Sequence, residues 1–171
     1  TKDETTGPAS DRLFEMADTP EGILELDTST IEKLIYPVGF YKNKAKTLHS
    51  VCQDLLDRFD GQVPDDLDEL LSMKGVGRKT ANLVLTMGYD KPGICVDTHV
   101  HRICNRFGYL ITKTPDETEM VLRERLPSEH WIEINDLLVT WGQNICKPIS
   151  PFCSRCVGNG ICERVGVLKS R

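Results

Sequence analysis

The chain lacks any apolar run long enough to cross a bilayer, and no basic stretch leading into an apolar one opens it. Neither a membrane span nor a secretory leader is therefore expected. Sustained two-residue alternation of apolar and polar positions is also missing, which removes the usual sign of strands. There is no internal repeat and no low-complexity segment. Positive charge is scarce: the net charge is −5, which at face value argues against a nucleic-acid partner. Seven cysteines, an odd count, make a poor oxidised framework in a chain of this size. The 171 residues suffice for one medium domain or two small lobes with a proper core, and a soluble intracellular protein is expected.

The cations are few but gathered. Residues 74–106 carry six Lys or Arg against two Asp, and 146–171 carry five against a single Glu, while the segments between and before them are acidic. A smaller block, Lys42, Lys44 and Lys46, sits inside an acidic region. Binding to phosphates depends on a local basic face rather than on the total, so the overall acidity excludes nothing.

Helix signals dominate. Ser29 followed by Glu32, and Thr114-Pro115-Asp116-Glu117, read as capping boxes, with Pro115 at the first helical position. Ala45, Leu48, Val51, Cys52, Leu55, Leu56 and Phe59 recur at helical spacing over 43–59, and Asp60-Gly61 stops that helix. A second stripe runs Trp131, Ile134, Leu138, Trp141 and Ile145. Eight to ten short helices and an all-α fold are expected.

Between helices read at 65–73 and 78–87 lies Lys74-Gly75-Val76-Gly77. Glycines remove bulk, so a phosphate can approach the backbone amides, and those amides lead into a helix N-terminus that favours an anion. A plain Gly-rich corner is the alternative. Just beyond it stand Arg78 and Lys79. A lysine amine is nucleophilic only when neutral, and a helix N-terminus, a neighbouring cation and partial burial favour that form. Such an amine can attack a sugar C1′, expel the base and leave a Schiff base. A carboxylate near the resulting oxocarbenium-like charge stabilises it, and Asp97 in "CVDTH" is placed either for that or to cap a helix. His99 and His101 read as supporting residues.

Cys146, Cys153, Cys156 and Cys162 follow the pattern C-x6-C-x2-C-x5-C. Four thiolates can hold zinc or an iron–sulfur cluster; zinc modules usually present two close pairs, and this pattern has one, so the spacing leans toward iron while leaving zinc open. Cys52, Cys95 and Cys104 fall on apolar faces as buried free thiols.

"LLSMKGVGRKTANLVL" followed by "VDTHVHRICNR" resembles the helix-hairpin-helix DNA glycosylases, and most closely the endonuclease III family. The likeness extends from "IYPVGFYKNKAK" to the cysteine pattern, across essentially the whole chain. It implies a two-lobed fold: a helical barrel over 20–115 holding the hairpin at 74–77, and a second lobe from 1–19 with 116–171. It makes Lys79 the nucleophile and Asp97 the catalytic carboxylate of a bifunctional glycosylase/AP lyase. Such an enzyme removes oxidised pyrimidines from duplex DNA and cleaves 3′ to the abasic site. It implies a [4Fe-4S] cluster on the four cysteines, and DNA contacts from Lys74, Gly75, Val76, Gly77, Arg78, Lys147 and Arg155, with a monovalent cation at the hairpin carbonyls. Lys74 departs from the family, which usually has proline there.

The resemblance also makes Phe40 the side chain that fills the duplex where the target nucleotide is extruded; ordinary core packing is its alternative. Asp3, in "TKD", matches an aspartate of the family's substrate pocket. A helix and a glutamine-bearing stretch precede the position of Thr1 in the family, so further residues are expected ahead of it. The partner implied is double-stranded DNA with a damaged or abasic nucleotide, met by a monomer without a membrane. The setting is the cytoplasm beside the nucleoid, or the nucleus or mitochondrion of a eukaryote. A mismatch-specific thymine or uracil glycosylase without lyase activity, and a non-catalytic DNA-binding module, are the alternatives.

Overall fold

A helix begins where a side chain can take over the amides its first turn leaves bare. In the computed structural model, which describes residues 1–171 apart from the Asp3 side chain, this happens repeatedly. Thr19 caps α2 (Pro20–Glu25) through a bond from the Gly22 amide, 3.1 Å. Asp66 caps α5 (Leu67–Ser72). Thr114 caps α8 (Pro115–Arg125) with Pro115 at the first position, as expected. The reciprocal bond differs: the Glu117 carboxylate accepts from the Lys113 amide at 2.7 Å.

The Ser29 capping box is not formed. Asp27 caps α3 (Thr28–Ile35), its Oδ1 accepting from the Thr30 amide and the Ser29 hydroxyl at 2.7 Å each. A carboxylate accepts more strongly than a hydroxyl, so the aspartate two residues earlier takes the cap and Ser29 becomes its donor. Those bonds, the one from Ser29 foremost, hold the Asp27 carboxyl below its usual range.

The remaining helices are α1 (Asp3–Met16), α4 (Tyr41–Phe59), α6 (Arg78–Leu83), α7 (Thr98–Phe107) and α9 (Ile134–Asn144). Among the described residues there is no strand, and no helix is long and apolar enough to cross a membrane. α4 ends where the sequence expects, with Asp60 and Gly61 both left-handed. α6 runs on into a wider, π-type turn over Val84–Gly88, where the buried Thr86 hydroxyl donates to the Asn82 carbonyl at 3.0 Å.

Contacts divide the chain into two units, Thr1–Val76 and Gly77–Arg171. In the first, α4 packs on α2 and α3 around Leu13, Ile23, Ile31, Ile35, Ala45 and Cys52. In the second, α7 packs on α8 and α9 around Ile94, Val96, Val100, Cys104, Leu110 and Leu122. Trp131, Ile134 and Leu138 of the second stripe close over that core. α7 and α9 approach closely at Gly142, where an added Cβ would lie 2.2 Å from His99 Nδ1.

The second unit also has a polar centre. Glu119 on α8 is only 2 % exposed. Arg78, the first residue of α6, forks onto it with Nε–Oε2 at 2.6 Å and Nη2–Oε1 at 2.9 Å, and Arg123 adds a bond of 2.8 Å. Asn82, fully buried, ties the same group together: its amide donates to the Arg78 carbonyl, and its Oδ1 accepts from Arg123 at 2.8 Å. Burial by itself would raise the Glu119 carboxyl, but the bonds from Arg78 and Arg123 outweigh it and hold the group below its ordinary value of 4.5.

A depressed carboxyl contributes stability above its unfolded value and loses it as the pH falls through the folded one. Glu119→Gln should therefore lower the Tm at neutral pH by roughly 10 °C, for a loss of about 3 kcal/mol. Thermal scans of both proteins should converge below pH 4.5; a gap that persists undiminished in acid contradicts the assignment.

Candidate active site

The hairpin carries two glycines for two different reasons. Gly75 has φ +93°, and a Cβ there would meet Thr47 Cγ2 at 2.4 Å, so both conformation and space demand glycine. Gly77, which precedes α6, has φ −95° and ψ 169°, and a Cβ there would meet nothing. The protein's own packing does not require glycine at 77, and no side chain caps α6. In the first unit Lys74 is exposed and Val76 half-buried, the Val76 amide donating to the Met73 carbonyl at 3.2 Å.

Arg78 and Lys79 part company at this point. Arg78 turns inward onto Glu119, so its guanidinium serves as a clamp; the reading of Arg78 as a phosphate ligand has to contend with that commitment. Lys79 is exposed, contrary to the partial burial expected from sequence, because α6 points its second side chain away from the centre that Arg78 enters.

Asp97 is half-buried and does cap α7. Both bonds fall on Oδ1, from the His99 amide at 2.8 Å and the Val100 amide at 2.9 Å, and no described residue donates to Oδ2. One oxygen thus caps α7, which leaves the other compatible with a second role. Cys95 links the two residues. Its Sγ is 3.7 Å from the Lys79 carbonyl. Burial pushes the Cys95 thiol up, the Lys79 charge pulls it down, and the Asp97 charge pushes it up again. Cys95 thus touches the backbone of Lys79 and stands two residues before Asp97 in the second unit.

The histidines have other partners. His99 Nδ1 accepts from Arg102 at 3.0 Å, and His101 Nδ1 lies 2.7 Å from the Thr118 hydroxyl. Both belong to side-chain networks around α7, in keeping with supporting roles.

Phe40 is not a core residue. It is 82 % exposed and stands before α4 with φ 58° and ψ 28°, a left-handed conformation that a bulky side chain adopts only at a cost of about 1–2 kcal/mol. Phe40 and residues 74–76 belong to the first unit; Lys79, Asp97 and the four clustered cysteines belong to the second. Asp3 lies outside the described residues.

Cys146, Cys153, Cys156 and Cys162 all line one small pocket, together with the apolar Phe107, Ile145, Pro151, Phe152 and Val167. Among the described residues no three His, Cys, Asp or Glu side chains converge closely enough to share a single ion. Four sulfurs around one pocket are a donor set that an iron–sulfur cluster could take. Arg106 supplies positive charge at the wall, its Nη1 donating to Cys146 Sγ at 3.5 Å. Lys147 and Arg155 each stand 5.5 Å from the Phe152 ring centre, and Arg171 stands 4.0 Å from it, so the C-terminal cations gather on one aromatic face. The other three cysteines are buried as expected, with burial pushing the Cys104 thiol up to about 11.

Sequence reasoning missed Asn82, Glu119, Asn135 and Phe152. Only Glu119 left a trace, its four-residue spacing from Arg123. The others act through contacts some 40 residues away in the chain or through a ring that any loop could carry.

Residues 1–128 match the family described as HhH-GPD superfamily base excision DNA repair protein. Endonuclease III of Thermotoga maritima is 45% identical over 163 residues, covering 95% of this chain and 76% of that protein. The chloroplastic endonuclease III homolog 1 of Arabidopsis thaliana is 46% identical over 171 residues, and the chain spans 95% of itself but 45% of that longer protein. The solved structure of a trapped endonuclease III–DNA covalent intermediate, an estranged-adenine complex, superposes with a TM-score of 0.90 at 35% identity, covering 95% of this chain and 77% of that one. The chain belongs to the endonuclease III family of the HhH-GPD superfamily of base excision DNA repair proteins.

Proposed function

We propose that the chain is a bifunctional DNA glycosylase/AP lyase of base excision repair, acting on oxidised pyrimidines in duplex DNA. The observation that carries this is the pairing of an exposed Lys79 at the start of α6 with an Asp97 carboxylate that keeps one oxygen unbonded. Lys79 Nζ, neutral, attacks C1′ of an extruded nucleotide; the glycosidic bond breaks and its electron pair leaves with the base, which takes up a proton. The Asp97 carboxylate stabilises positive charge on the sugar as that bond lengthens. The aminal opens to a Schiff base, a proton leaves C2′, and the C3′–O bond breaks to release the 3′ phosphate. Water then hydrolyses the imine and frees Lys79.

The rest of the molecule is read in support. The amides after Gly77, with Lys74, receive the backbone phosphates, and the hairpin carbonyls hold a monovalent cation. Phe40 fills the space of the extruded nucleotide, a use that accounts for an exposed aromatic in a costly conformation. Cys146, Cys153, Cys156 and Cys162 hold a [4Fe-4S] cluster, which supplies a rigid fold for the loop bearing Lys147 and Arg155. Those two cations then face phosphate. The resemblance puts the lobes at 20–115 and at 1–19 with 116–171, a division that differs from the one drawn by contacts, which falls between Val76 and Gly77. The enzyme works wherever its cell keeps DNA: beside a nucleoid, or in the nucleus or mitochondrion.

Borohydride trapping on abasic duplex tests the chemistry. Wild-type protein should give a covalent adduct, and Lys79→Gln should lose adduct and strand cleavage by about a thousandfold or more while keeping affinity for an abasic-analogue duplex. Base release without any adduct from the wild type would instead mark a glycosylase lacking lyase activity. For the cluster, analysis of iron and acid-labile sulfide should return about four of each per chain; a single zinc and no sulfide overturns that assignment.

A further inference from the structure

Asp97 is delivered by a stretch with no regular structure of its own. Ile94, Cys95 and Val96 lead into α7 without regular structure and are all at least 95 % buried. Buried backbone outside a helix or sheet must satisfy its amides and carbonyls some other way. Two asparagines from two helices do so here. The Ile94 amide donates to Oδ1 of Asn82, which sits on α6 three residues beyond Lys79, at 3.1 Å. The Cys95 carbonyl accepts from Nδ2 of Asn135, near the start of α9, at 2.8 Å. From between them the Cys95 thiol reaches the carbonyl of Lys79 itself, at 3.7 Å.

The same short stretch is thus gripped by the helix of the nucleophile on one side and by α9 on the other, two residues before the helper carboxylate. Among the described residues the Asn135 side chain makes this bond alone, so its amide has no other evident task. Asn82 is shared with the Arg78–Glu119–Arg123 centre, which leaves Asn135 and Cys95 as the parts of the grip that can be altered without dismantling that centre.

We propose that Asn135 and Cys95 are positioning residues that set the spacing between Lys79 and Asp97; this rests on the catalytic reading given above. Neither touches substrate. Both act through the backbone that carries Asp97, and a shift of this kind by even a fraction of an ångström lowers the rate of a step that needs two groups on one sugar.

The experiment is single-turnover borohydride trapping on abasic duplex, with affinity for a tetrahydrofuran-containing duplex measured in parallel. Asn135→Leu keeps the volume and removes the donor; its trapping rate should fall about tenfold or more, with affinity within about twofold of wild type. Cys95→Ser keeps a donor and Cys95→Val keeps an apolar filler. If the thiol positions the Lys79 backbone, Ser should trap faster than Val; if it merely fills a buried space, Val should win, because a hydroxyl is the poorer filler at a site 4 % exposed. A wild-type trapping rate in Asn135→Leu, or Val at least as fast as Ser, overturns the proposal. Lys79→Gln in the same assay keeps the two ideas apart. An adduct there removes the nucleophile itself, whereas a silent Lys79→Gln beside a fully active Asn135→Leu removes only the grip.

Discussion

A carboxylate taken almost wholly out of water needs its counter-charge at hand, and Glu119 has two guanidiniums within hydrogen-bonding distance. The consequence for the site is geometric before it is energetic. Arg78 is the first residue of α6, so its two-pronged bond fixes both where that helix starts and how it is rotated. Lys79 inherits its direction from that rotation. An apolar trio of similar volume can be as stable as a buried ion cluster. What such a trio lacks is the directionality of a fork, and direction is what the nucleophile proposed one residue away would require.

The two cations after the hairpin thus divide the work. Arg78 is spent on an internal ion pair, and Lys79 is exposed. Asp97 shows a similar division within a single group. Two amides on one oxygen keep the carboxylate oriented, which is the preorganisation that the proposed role in stabilising charge would need.

The sequence made the local features readable and hid the distant ones. The end of α4 at Asp60-Gly61, Pro115 at the start of α8, and Asp97 as a helix cap are all decided by residues within four positions of each other. Where two local candidates competed, strength of acceptor decided: Asp27 displaced Ser29. Lys79 was placed correctly on its helix, but its exposure depends on which neighbour the core claims, and that neighbour was Arg78. The grip of Asn82 and Asn135 on the Ile94–Cys95 stretch left no pattern at all, because an asparagine on a helix looks the same whether its amide meets water or a carbonyl 40 residues away. Phe40 is the reverse case: by residue type alone it reads as core, the resemblance reads it as a duplex-filling side chain, and in the structure it is exposed with a left-handed backbone.

Gly142 reaches further than its size suggests. Because any larger residue would collide with the His99 ring and the Arg102 guanidinium, α9 and α7 touch there with nothing between them. A bulkier residue at that crossing would have to push aside the ring of His99, whose own amide is one of the two that hold the Asp97 carboxylate. Room kept for one missing methyl thus bears on the end of α7 where Asp97 stands.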